Sequence, residues 1–145
     1  MKGTLITIGI VLVGILAFHP TTLATLGDAW IVPEAPTTLD PVVLYVDGYL
    51  NDSCWSLDTT DFDVQGGNIE VSIDLFDSWQ PGMNCLMMIT EYEETFDLGY
   101  LAAGTYTVAI TEYHDSLRSP DPQTSSLTFT VTDGGQCFVS TILGD

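Results

Sequence analysis

Residues 69–75 alternate strictly. Ile69, Val71, Ile73 and Leu75 are apolar, and Glu70, Ser72 and Asp74 between them are polar. A two-residue period turns one face to a core and the other to water, as a half-buried β-strand requires. The same period recurs at Val42, Leu44 and Val46, at Phe62 and Val64, at Tyr106, Val108 and Ile110, and at Leu127, Phe129 and Val131. A turn at 80–84 precedes a further expected strand over Cys85–Tyr92, and Phe96, Leu98 and Leu101 lead toward Tyr106. No stretch beyond residue 24 shows a helical period. About seven short strands with frequent turn signals predict an all-β, two-sheet sandwich. Gly66-Gly67 predicts a two-residue hairpin turn between Val64 and Ile69. In that register Asp63 faces Glu70 and Asp61 faces Ser72, with Asp74 one step on.

The first 24 residues have a different character. Lys2 precedes an apolar run, Leu5–Phe18, and Thr22-Leu23-Ala24 offers small residues for cleavage. That order is the signature of a secretory signal peptide, here a signal helix over 1–24. The run is shorter than the roughly 20 residues a spanning helix needs. An uncleaved N-terminal anchor is the competing reading. Residues 25–40, with Pro33 and Pro36, read as an extended lead-in segment. Residues 41–132 form the sandwich domain and 133–145 a C-terminal tail. The expected location is secreted, cell-surface or periplasmic, with no membrane insertion after processing.

Charge narrows the partners. The formal net charge is −18, and beyond the leader 20 Asp and Glu face Arg118 alone. Nucleic acid and anionic membrane surfaces are excluded, because binding phosphate needs Lys and Arg. A salty habitat, divalent cations or a solvated face could each explain such acidity. The chain has three cysteines. Cys54 and Cys85 lie within the patterned domain and are read as a pair. Cys137 lies in the tail and is left for an intermolecular bond. The 54–137 and 85–137 pairings stay open, because spacing does not determine connectivity.

Chemistry-bearing residues are few. His114-Asp115-Ser116 has triad vocabulary, but three consecutive residues cannot converge as a triad does. His114 is the only His beyond the leader, and one His with a paired Cys54 and Cys85 leaves too few ligands for zinc. Asp61-x-Asp63-x-Gln65-Gly66 resembles the start of a calcium loop, yet the twelfth position holds Ser72 rather than Glu. As a strand pair, Asp61, Asp63, Glu70 and Asp74 make a candidate cation set, with calcium as the only cofactor expected. Glu91, Glu93, Glu94 and Asp97 form a second acidic cluster. Paired carboxylates could hydrolyse glycosides, but that chemistry needs a sugar cleft. Trp30, Trp55 and Trp79 could stack on sugars, and Trp79, in a turn, is the one expected at the surface. The segment 113–126 reads as a long loop between the last two strands, with Tyr113, His114 and Arg118 as contact residues. Pro120 and Pro122 stiffen it, and Asp115 or Asp121 could hold Arg118.

The run Leu101-x-x-Gly104-x-Tyr106-x-Val108 resembles the corner that opens the penultimate strand of immunoglobulin-like and fibronectin-III-like sandwiches. The wider order of Gly48, Cys54, the 69–75 strand and Cys85 resembles small exported bacterial domains of that kind. The resemblance covers residues 41–132 and implies an immunoglobulin-like sandwich, with Gly104 permitting a tight corner. Val108 stands where antibody-type domains place a Cys, so Cys54–Cys85 is not their intersheet pin. Such a fold brings no activity with it. The expected function is a non-enzymatic exported module that binds an extracellular protein or glycan, with no catalytic residue. The alternatives are an inhibitor of secreted hydrolases inserting the 113–126 loop, and a hydrolase using acidic pairs.

Overall fold

The alternation resolves into seven strands in the computed structural model, which describes residues 24–118 and 121–135. The leader run, Pro120 and Cys137 lie outside the described residues. The strands are β1 (Ala24–Val32), β2 (Pro41–Leu50), β3 (Trp55–Gln65), β4 (Asn68–Asp77), β5 (Thr90–Tyr100), β6 (Gly104–Asp115) and β7 (Gln123–Val131). One sheet has the order β1-β2-β5 and the other β3-β4-β6-β7. The described residues contain no helix long and apolar enough to cross a membrane.

The apolar positions of each alternating run fill the space between the sheets. Val42, Leu44 and Val46 of β2 meet Ile69, Ile73 and Leu75 of β4 and Val108 and Ile110 of β6, all of them buried. The β3–β4 hairpin has the expected register, with Val64 opposite Ile69, Phe62 opposite Val71 and Asp63 opposite Glu70. Gly66 alone in its turn has a positive φ, of 62°, the pattern of a type II′ turn with Gly at its first central position. β3 is an edge strand, so Phe62 and Val64 stay half-exposed. Phe62 meets Phe96 of the opposite sheet edge-on at 5.8 Å between ring centroids.

The tyrosine corner is present. The Tyr106 hydroxyl donates to the Ala102 carbonyl at 3.0 Å, and its ring stacks on Phe129. Gly104 is not what permits it. Its φ is not positive, and a Cβ there would meet only the Tyr106 ring at 4.0 Å.

The chain departs from the expectation in four places. β4 and β6 run parallel, whereas an immunoglobulin-like sandwich is built from antiparallel sheets. The passage through β5 in the other sheet supplies the crossover that parallel neighbours need. Residues 25–40 are not only a lead-in, since β1 pairs with β2 from Ala24 to Val32. The fifth strand begins at Thr90 rather than Cys85, because β2 ends at Leu50, the partner of Thr90, and offers nothing further to pair with. Finally, β6 runs to Asp115 and β7 starts at Gln123, so the expected 113–126 loop shrinks to residues 116–122.

Candidate functional site

The segment after β2, the end of β4, the start of β5 and the segment after β6 all lie at one end of the sandwich, its stapled pole. Cys54 and Cys85 are bonded there, with Cα atoms 5.6 Å apart. Ser53 and Leu86 flank the bridge with two hydrogen bonds. Ser53 N–H donates to the Leu86 carbonyl and Leu86 N–H to the Ser53 hydroxyl, each at 3.0 Å. Arg118 ties the remaining segments together. Its Nε and Nη2 donate to the two oxygens of Asp77 at 2.7 and 2.6 Å, a planar fork on a carboxylate. Its Nη1 donates to Asp52 Oδ2 at 2.7 Å. Ser116 Oγ and the Trp79 N–H also donate to Asp77. The guanidinium carbon sits 5.5 and 5.7 Å from the ring centroids of Trp55 and Trp79, a cation–π sandwich. Burial pushes the Asp77 carboxyl up, but Arg118, Ser116 and the Trp79 N–H together hold it below the usual range.

A second polar group lies deeper. Glu112 of β6 is fully buried between the sheets. It accepts from the Tyr92 hydroxyl of β5, and its other oxygen lies 2.6 Å from His114 Nε2. Gly48 makes room for Tyr92, since a Cβ at 48 would lie 2.3 Å from the tyrosine ring. Burial, then Glu112, push the Tyr92 hydroxyl well above its ordinary pKa. His114 packs edge-on against Trp55 at 5.5 Å, which links the trio to the Arg118 clamp. Tyr92→Phe leaves one Glu112 oxygen buried without that donor. It should cost about 1–3 kcal/mol in urea unfolding, the range for leaving a buried polar group without its partner. A cost below about 0.5 kcal/mol would show that the Tyr92–Glu112 bond contributes little to stability.

The sequence-predicted binding residues therefore separate. His114 is a buried core residue on β6, not a loop contact. Arg118 is held within the chain, by Asp52 and Asp77 rather than by Asp115 or Asp121. Trp79 stays at the pole, with Nε1 donating to the Met83 carbonyl at 3.2 Å. Tyr113 points to the outer face of the four-stranded sheet. There it lines a depression of about 570 Å³ that also holds Asp61, Asp63, Glu70 and Asp74. The four expected cation ligands thus share one surface but do not converge. Among the described residues, only Asp52, Cys54 and Cys85 bring three potential ligand atoms within 4.8 Å of one another, and both sulfurs there belong to the disulfide. Asp63 accepts from Gln65 Nε2 at 2.6 Å and Asp74 from Thr59 Oγ1 at 2.9 Å, so uncharged side chains partly answer the face. Glu91 and Glu93 flank a smaller depression with Asp47 and Tyr49 on the other sheet.

Like charges directly opposite on neighbouring strands destabilise a sheet by roughly 0.2–1 kcal/mol. Glu70→Gln should therefore raise the melting temperature in low salt, and the gain should vanish at 1 M salt. An equal gain at both ionic strengths would mean that charge repulsion is not the cause.

A family model of the ORF11 beta-sandwich domain matches residues 44–119, more than half of the chain. The chain belongs to the ORF11 beta-sandwich family. No curated protein and no solved structure matches it. The ORF11 match takes in both bonded cysteines, Asp52, Asp77, Arg118 and the Tyr92–Glu112–His114 trio. β1 and β7 flank it on either side.

The ORF11 sandwich also shows a surface that the strand reading concealed. Residues 78–89 form an irregular loop, and Leu86, Met87 and Ile89 on it are 73, 84 and 71 % exposed. Periodicity could not reveal this, because an unbroken apolar run suits a buried strand equally well. One signal was available in composition: no charged residue occurs from Ser78 to Thr90, in a chain with 20 carboxylates.

Proposed function

We propose that this ORF11 sandwich is an exported, non-enzymatic module that acts by surface contact outside the cytoplasm, presenting the loop 78–89 from its stapled pole. The Cys54–Cys85 bridge carries this reading. Structural disulfides persist in oxidising compartments, and the Leu5–Phe18 run has the form of an export signal. The bridge and the Arg118 clamp hold both ends of an exposed loop on a rigid scaffold, where recognition tends to be placed. The burial of His114 supports a non-enzymatic role, because it is the only His beyond the leader and a His-based mechanism in the sandwich would need it in contact with substrate. An extracellular protein or glycan is the class of ligand this reading expects, with calcium on the acidic face as a stabiliser rather than a reactant.

Expression of the full chain in an exporting host tests the reading. The protein should be recovered outside the cytoplasm with Cys54 and Cys85 bridged by peptide mapping. Recovery in the cytoplasm with both thiols free would reject it. The inhibitor reading keeps one favourable observation, a loop stapled beside its exposed residues, and it moves from 113–126 to 78–89. A panel of secreted proteases and glycosidases checks it directly.

A further inference from the structure

Two apolar features far apart in sequence meet at the stapled pole. Across the three-stranded sheet Ala24 pairs with Leu50, and Leu50 pairs with Thr90. Neighbouring strands lie about 4.8 Å apart, so β1 starts about 10 Å from the residue that closes the exposed loop. Leu5–Phe18 joins the sandwich at Ala24 through a segment that spans at most about 20 Å. Chain connectivity alone therefore keeps the end of that run within about 30 Å of Thr90. Met83, Leu86, Met87, Met88 and Ile89, with Leu117 next to Arg118, are between 45 and 87 % exposed. Exposed large apolar side chains grouped on one loop mark an interaction or membrane site rather than ordinary scattered surface. Asp61, Asp63, Glu70 and Asp74 lie on the outer face of one sheet and Asp47, Glu91 and Glu93 on the other. At the pole Arg118 answers Asp52 and Asp77. Asp115 and Asp121 stand exposed at and after the end of β6 rather than on the loop 78–89. Trp79 is held at the base of the patch by Asp77 and Arg118.

We propose that this pole rests on the bilayer that holds Leu5–Phe18, with Met87 and Ile89 dipping into the headgroup boundary. The proposal rests on the export reading above and adds that the run is retained. The occupant is a lipid surface of neutral headgroups. A chain of net charge −18 is repelled by anionic lipid, whereas an uncharged apolar loop gains by leaving water at the interface. A single short apolar run is a marginal anchor, and a second apolar contact at the same pole reinforces it.

The test uses the full chain reconstituted into phosphatidylcholine vesicles, read by flotation and by quenching of tryptophan emission with brominated phosphatidylcholine. The chain should float and be quenched, and Trp79→Phe should remove the quenchable part. Met87→Asp/Ile89→Asp should still float through the N-terminal run but lose the quenching. Added phosphatidylserine should weaken the quenching of the unmodified chain. Flotation without quenching, or quenching unchanged by the double substitution, overturns the proposal. So does a dimer in detergent that the double substitution dissolves, because a second copy would then cover the patch. Intact mass of the exported protein separates the two readings. Cleavage after Ala24 would sink the membrane contact and leave the exported module standing, whereas failure of export would remove both.

Discussion

Arg118→Met should destabilise the protein by about 3–5 kcal/mol, the usual cost of breaking a buried ion pair from one side. Asp52 and Asp77 are 3 and 8 % exposed, and the substitution leaves both carboxylates facing each other's segments without their cation. For a domain of this size that is a fall in melting temperature of roughly 4 °C per kcal/mol. The two tryptophans would also lose the guanidinium between them. Combining Arg118→Met with Asp52→Asn and Asp77→Asn should restore much of the loss, because the penalty lies in the orphaned charges. The gap between wild type and Arg118→Met should depend on pH in a defined direction. The folded pKa of Asp77 lies below its ordinary value of 3.8. Its contribution is therefore complete above about pH 4 and is lost as the pH falls through the lower folded value. Melting curves from pH 7 to pH 2 should show the gap narrowing only at the acid end. A constant gap across that range would mean that the clamp holds by packing alone.

Removal of the staple should have the next largest effect. Cys54 and Cys85 are 31 residues apart in sequence. On chain-entropy reasoning, closing such a loop contributes roughly 3–4 kcal/mol. Cys54→Ser/Cys85→Ser should lower the urea midpoint accordingly. The sandwich should still form, because its core strands do not depend on the bridge for pairing. The loop 78–89 should become the first site of proteolytic cutting, since its attachment beside Ser53 is gone. Identical unfolding with and without reductant would show that the bridge constrains little.

Much of the strand layout was legible in the chain. The alternation at 42–46, 69–75, 106–110 and 127–131 identified strands that the structure buries on those same faces. Gly66-Gly67 placed Asp63 opposite Glu70, and Leu101–Val108 announced a tyrosine corner. These features are local: period, turn chemistry and a four-residue hydrogen bond need no knowledge of the rest of the molecule. The Cys54–Cys85 pair stood among three possible pairings, and only their arrangement in space decided between them.

What the sequence by itself determined, then, is a two-sheet β-sandwich with an acidic exterior, because alternation and charge are properties of neighbouring residues. Tertiary structure alone decided the rest. The parallel contact of β4 with β6 depends on where the chain returns from the other sheet, which no local pattern encodes. Leu86–Ile89 would suit a buried strand, but β2 ends at Leu50 and leaves that run without a partner. His114 lies in a polar stretch, yet the extension of β6 carries it inward to Glu112. The partners of Arg118 lie 41 and 66 residues away in the chain, beyond any local reading. Each of these outcomes follows from long-range packing, in which the position of one segment is set by the ends of others.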